Sequence, residues 1–176
     1  MTMGLVSATL LFVKVIPLGI YVRVACCKLD LPYLGCDDPL CPLAVGEQAD
    51  CIPTANSAEQ RAWCEREYVV WAQGLLDRVP PELGLGHQLT CAPPTYTLLR
   101  AIGIIEVVGY VLLFALPRLG AAILSAVMCA ALHFHLVHKG DPPQSLILQF
   151  TLLTASLLVF FLSGLDAPRR HKDKLT

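Results

Sequence analysis

Apolar residues along the chain fall into four long blocks that are separated by shorter polar stretches. A helix needs about 20 mostly apolar residues to cross the hydrocarbon core of a bilayer. Only a few residues connect the last three blocks, so consecutive helices there are expected to be antiparallel. We predict an all-α membrane protein, a four-transmembrane-helix bundle built as one domain over 1–176. Its spans are expected at about 4–25, 99–117, 119–138 and 144–163, with a loop at 28–98 and a tail at 164–176.

Composition favours a membrane protein and argues against nucleic-acid binding. The chain has 176 residues, of which 55% are hydrophobic, and its formal net charge is −1. Charged residues largely avoid the apolar blocks and collect in the loop and the tail. Because no basic face is visible, the expected partner is the lipid bilayer and no nucleic-acid partner is predicted.

The first apolar block has two interpretations. Lys14 and Arg23 interrupt it, and no basic residue precedes its apolar run, as one would in a secretory signal peptide. Val24-Ala25-Cys26 is a poor cleavage site, so a retained transmembrane helix is preferred to a cleaved signal. Both interpretations leave the loop at 28–98 on the same side of the membrane.

The charge of the tail predicts the orientation of the chain. Cytosolic segments next to spans carry an excess of Lys and Arg, so both termini are expected in the cytosol and the loop in the lumen. The final residues also match the dilysine pattern by which coat proteins retrieve membrane proteins to the endoplasmic reticulum, although a solvated basic tail produces this pattern by chance. The retrieval lysines are Lys172 and Lys174. The basic cluster consists of Arg169, Arg170, His171, Lys172 and Lys174.

Cysteines are concentrated in the predicted lumenal loop. An oxidising compartment favours disulfides, and a loop with little core of its own needs them. Spacing does not reveal the pairing, and since the number is odd, either one thiol stays free or Cys27 joins. No C-x-x-C occurs, which argues against a thiol oxidoreductase or a zinc site. The disulfide candidates are Cys36, Cys41, Cys51, Cys64 and Cys91.

A short amphipathic helix is predicted inside this loop. The sequence from Ser57 to Gln60 resembles a capping box, and Pro80 ends the helical pattern near Val79. An apolar stripe follows the helical repeat, so the helix either lies at the membrane interface or packs on its own loop. The stripe consists of Cys64, Tyr68, Trp71, Ala72 and Leu75.

Polar residues inside the spans mark the candidate functional site. Counting 1.5 Å per residue puts Glu106 about 10 Å inside the lumenal surface, and His133 and Gln149 about 8 Å inside. Arg23 and Tyr21 lie toward the same side. Exposing a charge to lipid costs about 2.5–3.5 kcal/mol, so this polar layer is expected to face inward and to pair. It is then either a hydrogen-bonded clamp between helices or the lining of a pocket for a ligand or a client.

Two further patterns are assigned to structure. His133 and His135 lie on nearly opposite faces of a helix, and His135 and His138 lack a third ligand, so no metal site is predicted. Alanines recur at every fourth position of the third block, a spacing that allows helices to pack closely. These are Ala122, Ala126 and Ala130.

Two segments carry a resemblance to a known family. Residues 98–109, with Ile102-Gly103 and Glu106 in an I-G-x-x-E core, resemble the second-helix signature of DoxX-like membrane proteins. Residues 133–142 are similar to the end of the third helix in the animal branch of that family. This branch includes an endoplasmic-reticulum chaperone of nicotinic acetylcholine receptor assembly. The first block and the cysteine-rich segment 36–64 depart from the family pattern.

The resemblance implies a non-catalytic function without a cofactor. The expected activity is to assist folding, assembly or trafficking of a membrane client, such as a ligand-gated ion channel subunit. Two alternatives stay open: a quinone-linked oxidoreductase subunit, which other DoxX relatives include, and a small-molecule or lipid-binding membrane protein. The chain has no C-x-x-C, metal cluster or cofactor motif, which argues against the enzyme.

Overall fold

The computed structural model describes residues 2–29, 62–78, 89–91 and 97–172, with side chains at 6–22, 24–26, 28–29, 62–78, 89–91 and 97–164. Several predictions fall outside these residues and have no structural counterpart here. They concern Cys36, Cys41, Cys51, the helix start at Ser57, Lys174, and the side chains of Arg23 and Lys172.

The described residues form helices, and no strand occurs among them. The α-helices are α1 (Thr2–Val15), α2 (Ile20–Leu29), α3 (Val70–Leu76), α4 (Thr97–Ala115), α5 (Pro117–His133) and α6 (Ile147–Lys172). Two π-helical segments, Cys64–Val69 and Phe134–Lys139, and a 3-10 turn, Pro143–Leu146, extend them.

Four helical stretches are long and apolar enough to cross a membrane. They are Val6–Cys26, Thr97–Ala115, Pro117–Lys139 and Pro143–Gly164. The predicted fold class is therefore confirmed: an all-α protein with four membrane-spanning helices, a disulfide-containing loop and a short loop helix. The chain divides into two compact units, one of residues 1–22, 105–136 and 141–176, and one of residues 23–104 and 137–140.

The first unit contains part of every span and holds the main apolar core. Helices α5 and α6 pack against each other, and α1 packs against α6. The core residues come from all four spans, so the unit is a four-helix bundle. They are Leu10, Leu18, Tyr21, Leu113, Ala121, Leu124, Met128, Leu152, Ala155 and Val159.

A turn at residues 16–19 interrupts the first span between α1 and α2. Pro17 has no N–H to donate and disfavours helical geometry in the residue before it. The Leu18 N–H donates instead to the Val13 carbonyl at 3.3 Å, and the Tyr21 N–H donates to the Leu18 carbonyl at 3.1 Å. Pro17 thus interrupts the helical hydrogen bonding just before the buried ring of Tyr21.

The turn between α4 and α5 depends on a close approach of two backbones. The Gly120 N–H donates to the Leu116 carbonyl at 3.0 Å. A Cβ added at Gly120 would lie 2.6 Å from the Gly109 carbonyl oxygen and would also collide with the Leu113 nitrogen. No side chain fits there, so glycine lets α5 fold back along α4.

The small residues of α5 divide between two faces. Ala122 and Ala126 are exposed and Ala130 is half-buried, whereas the core face of the helix consists of Gly120, Ala121, Leu124, Ser125, Met128 and Leu132. Small and large side chains thus share the core face, and Ala122 and Ala126 lie outside it. The close backbone contact is made at Gly120 rather than along the alanine repeat.

The second unit holds the loop helix against residues 89–91. Cys64 and Cys91 form a disulfide with a Cα–Cα distance of 6.1 Å. The Glu65 carboxylate accepts hydrogen bonds from the Thr90 hydroxyl and the Cys91 N–H, both at 2.6 Å. The Leu89 N–H donates to the Gln73 side-chain oxygen at 3.2 Å. Two of the five predicted disulfide cysteines thus pair with each other and join segments that are 27 positions apart.

The π-helical segment alters the predicted apolar stripe of the loop helix. Such a segment has i→i+5 hydrogen bonds and therefore adds a residue to the turn. Cys64, Val69 and Ala72 are buried, whereas Tyr68 and Trp71 are half-buried and Leu75 is exposed. Val69 thus takes a buried position that the simple helical repeat does not assign, and Leu75 turns outward.

The third span ends at a glycine with a left-handed backbone. Gly140 has φ of 74°, a conformation that side-chain-bearing residues rarely adopt. The next residue, Asp141, donates its N–H to the His135 carbonyl at 2.8 Å, and its carboxylate lies 2.7 Å from His135 Nδ1. This arrangement satisfies the helix end and leads the chain into the fourth span.

Replacing Gly120 tests the close approach of α4 and α5. Gly120→Ala should lower the free energy of unfolding by about 1–3 kcal/mol because the added methyl group overlaps backbone atoms. Gly74→Ala is the matched control, since a Cβ there meets nothing within 4 Å. Denaturation of the purified protein in mixed micelles measures both. Equal effects of the two substitutions would contradict the proposed close approach.

Candidate functional site

Glu106 lies at the middle of its span and is completely buried. Helix α4 has 19 residues, and Glu106 is flanked by nine of them on each side. At 1.5 Å per residue, the Cα of Glu106 lies about 13–14 Å from either end of the helix. Its side chain has a relative exposure of 0%. The acid is therefore deeper in the span than the sequence predicts, because α4 begins at Thr97.

Tyr21 supplies a second polar group to the same unit. Its ring is 1% exposed, and its hydroxyl donates to the Leu124 carbonyl of α5 at 3.1 Å. This hydrogen bond links the first span to the third.

Ser125 and Ser156 are the buried polar residues of the third and fourth spans. Ser156 is 0% exposed and donates its hydroxyl to the Leu152 carbonyl at 2.9 Å. Ser125 is also buried, and its hydroxyl has no hydrogen-bond partner among the described residues. We call Tyr21, Glu106, Ser125 and Ser156 the buried polar cluster, and each span contributes one of its members.

A polar line on α6 continues this cluster along the helix. Gln149, Ser156 and Ser163 are spaced by seven positions, so they lie on one face of the helix. The Gln149 side-chain oxygen and the Ser163 hydroxyl are buried and accept or donate no hydrogen bond among the described residues. The face of α6 that looks into the bundle is therefore more polar than its average composition indicates.

Of the four residues predicted to form the polar layer, the structure describes three side chains, and these differ in burial. Glu106 is buried, Gln149 is half-buried, and His133 lies on an exposed part of α5. The side chain of Arg23 lies outside the described residues. The inward position predicted for His133 is therefore wrong, because the core face of α5 runs through Leu124, Met128 and Leu132 instead.

Two histidines at the end of the third span each approach one carboxylate. His135 lies beside Asp141, and His138 Nε2 is 3.3 Å from Glu67 Oε2 of the loop helix. Within the described parts of the chain, no three His, Cys, Asp or Glu side chains are placed to share a metal ion. The two contacts join His135 to the residue after Gly140, and His138 to the loop helix.

A groove runs along the first unit between α1 and α6. Its volume is about 450 Å³, and it is open to the surroundings. The hydroxyls of Thr151 and Thr154 donate to the carbonyls four residues earlier, each at 2.8 Å, so both are satisfied within α6. The groove therefore offers an almost entirely apolar surface. It is lined by Val13, Pro17, Ile147, Phe150, Thr151, Thr154, Ala155 and Leu158.

Comparison with known proteins found no relative of this chain. No protein-family model, curated protein or solved structure matches the chain. The resemblance to DoxX-like membrane proteins therefore stays a prediction from the residues quoted above.

In the buried polar cluster, the hydrogen bond from the Tyr21 hydroxyl to the Leu124 carbonyl joins two helices, whereas Ser156 bonds within its own helix. A carboxyl group, a phenol and two hydroxyls in an apolar medium bind one another strongly when paired and are costly when unpaired. Sequence reasoning identified Glu106 and noted Tyr21, but it did not select Ser156. A serine within an apolar block is an ambiguous signal, and only packing reveals which serines face inward.

Removing the Tyr21 hydroxyl tests the link between the first span and α5. Tyr21→Phe should lower the free energy of unfolding by about 0.5–1.5 kcal/mol, the usual range for a hydrogen bond between membrane helices. Tyr110→Phe is the control, because the Tyr110 ring packs edge-on against Phe114 in the same unit. Unfolding in mixed micelles measures both variants, and a Tyr21 effect no larger than that of Tyr110 would refute the link.

Substitution of Glu106 tests whether the cluster holds the bundle together. Glu106→Ala should reduce stability by about 1–3 kcal/mol and lower the steady-state protein level, because its buried partners lose a hydrogen-bonding group. Glu106→Gln keeps size and polarity and should retain most of both. Ile105→Ala, at an exposed neighbouring position, is the control in quantitative immunoblots and unfolding assays. A wild-type level of Glu106→Ala would remove this residue from the account.

Proposed function

We propose that the protein is resident in the endoplasmic-reticulum membrane and assists folding, assembly or trafficking of a membrane client. A ligand-gated ion channel subunit is the client class that the sequence resemblance favours. The groove between α1 and α6 carries this proposal. It is an open, apolar concavity on the membrane-spanning part of the molecule, where a transmembrane segment of a client has access to it.

The groove suits a helix as its occupant. In lipid, two helices gain little from the hydrophobic effect and associate through close packing, which small residues allow. Ala155, Thr151 and Thr154 are short side chains on the α6 wall, whereas Phe150 and Leu158 are larger ones at the edges. A client helix whose large side chains fit this groove would replace the lipid chains, which pack against the groove less regularly.

The buried polar cluster supports this groove mechanically. Val13 and Pro17 form one wall just before Tyr21, and Ala155 on the other wall directly precedes Ser156. The Tyr21 hydroxyl ties the first wall to α5 through the Leu124 carbonyl. Glu106 then acts as a clamp that keeps the groove in shape, rather than as a group that touches the client.

The disulfide and the basic tail support the proposed compartment and orientation. A disulfide between Cys64 and Cys91 suits a loop in an oxidising lumen. Arg169 and Arg170 follow the fourth span, which favours a cytosolic tail by the positive-inside rule. With four spans the amino end is then cytosolic as well.

A second candidate function places an apolar small molecule in the same groove. The lining is apolar, and the hydroxyls of Thr151 and Thr154 are already satisfied by their own helix. A lipid tail or the isoprenoid chain of a quinone fits these properties. The protein would then be a lipid-binding protein or a subunit of a quinone-linked enzyme.

Filling the groove tests client binding. Thr151→Trp and Thr154→Trp should each reduce surface expression of co-expressed nicotinic acetylcholine receptor subunits at least threefold, while the level of the protein itself stays unchanged. The bulky ring occupies the space that the client helix needs. Leu157→Trp, on an exposed part of α6 outside the groove, is the matched control. Labelled ligand binding to intact cells measures receptor at the surface.

The result separates the candidate functions. Loss of receptor only in the groove variants supports the client-assisting function. If the wild-type protein does not raise surface receptor, that function is wrong for this client. If a lipid or quinone co-purifies in native mass spectrometry and both tryptophan variants lose it, the second candidate is correct.

A further inference from the structure

The loop helix presents a regular exposed face in the second unit. Between residues 62 and 78, every fourth residue is exposed, starting from Ala62. Side chains between these positions are buried or half-buried, apart from Leu75 and Asp77. We call this set the arginine face; it consists of Ala62, Arg66, Val70, Gly74 and Arg78.

The π-helical segment explains why residues four apart line up. In an ordinary α-helix, positions four apart drift around the axis because a turn has 3.6 residues. A π-helical turn contains more residues, so positions four apart drift in the opposite sense there and offset the α-helical drift. Cys64–Val69 is π-helical and spans the first part of the arginine face. The combination of the two helix types keeps the five positions on one face.

Every acidic side chain of the described loop helix is held by other groups. Glu65 accepts hydrogen bonds from Thr90 and Cys91. Glu67 pairs with His138 at the end of the third span. Asp77 accepts a hydrogen bond from the Gln73 side-chain amide at 3.0 Å. Each acidic side chain of this helix therefore has a partner of its own among the described residues.

The two arginines of the face keep their charge exposed. Neither Arg66 nor Arg78 forms an ion pair with the described residues. Val70 lies between them with 60% of its surface exposed, and a Cβ at Gly74 would meet nothing within 4 Å. The arginine face therefore has two cations about 18 Å apart, and between them lies an apolar strip without large side chains.

The arginine face is held on a rigid support. The disulfide, the Glu65 hydrogen bonds and the Gln73–Leu89 hydrogen bond fix the opposite side of the helix. Lys139 also lies over the Trp63 ring, 5.7 Å from its centroid. A partner that binds this face thus meets a preformed surface and loses little free energy in ordering it.

We infer that the arginine face docks an acidic helical segment of a partner protein outside the membrane. Carboxylates on the partner would neutralise Arg66 and Arg78, and the low strip at Val70 and Gly74 would let its backbone approach. A bilayer is a poorer occupant, because membrane-binding helices insert large apolar anchors and this face has only Val70 at its centre. The inference does not depend on the groove or on the client proposed above.

A defined peptide tests this docking site. The probe is a fluorescent helical peptide with two glutamates twelve positions apart and alanines between them, with a glutamine version as its control. The full-length protein in nanodiscs of uncharged phosphatidylcholine should bind the glutamate peptide at least tenfold more tightly than the glutamine peptide. Salt should weaken the binding, since exposed charges carry it.

Variants assign the binding to the two arginines. Arg66→Ala with Arg78→Ala should weaken peptide binding about tenfold, and the Lys replacements should restore most of it. The Cys64–Cys91 disulfide, checked by mass spectrometry, reports that the variants have folded. Equal binding of the glutamate peptide by wild type and the alanine variant would overturn the inference.

The test also covers two other occupants of the arginine face, an anionic lipid and a segment of the same chain. Vesicles with phosphatidylglycerol that bind through Arg66 and Arg78, when the peptide does not, would identify a lipid site and overturn the inference. A photocrosslinker at Val70 that reacts only with residues 30–60 of the same chain would do the same. Crosslinks from Val70 to the glutamate peptide, lost in the alanine variant, support it.

Discussion

A carboxylic acid at the middle of an apolar span sets the main constraint on this molecule. Lipid offers no hydrogen-bonding partner, so the acid has to be enclosed by protein and met by other polar groups. Glu106 is fully buried, and Tyr21, Ser125 and Ser156 bring a polar group from each of the other spans. One helix pair cannot supply such an enclosure, and the four spans achieve it together.

The enclosure has consequences for the rest of the bundle. Tyr21 follows a turn around Pro17, and Pro17 lines the groove between α1 and α6. This groove is the concave surface on which the proposed client-assisting function depends. Within the same unit, Gly120 brings the backbone of α5 against α4.

Much of this architecture was predictable from local sequence, and the inward faces were not. The four spans follow from the lengths of the apolar blocks, and the buried acid follows from the cost of exposing it to lipid. The inward position of His133 and the packing of Ala122 and Ala126 were wrong, since in lipid an exposed face and a buried face are both apolar. The π-helical segment at Cys64–Val69 likewise has no sequence signal, and it changed which side chains of the loop helix are buried. The resemblance to DoxX-like proteins stays a prediction.

The enclosure of Glu106 is tested most directly by a nitroxide scan of α4 in lipid bilayers. Exposed positions in the structure are Ile105, Val108 and Val111, whereas Glu106 and Leu113 are fully buried. Collision rates with dissolved oxygen and with a water-soluble nickel complex should show lipid contact at the first three positions. Positions 106 and 113 should be inaccessible to both reagents. High nickel accessibility at position 106, or an oxygen maximum there, would contradict the enclosed bundle.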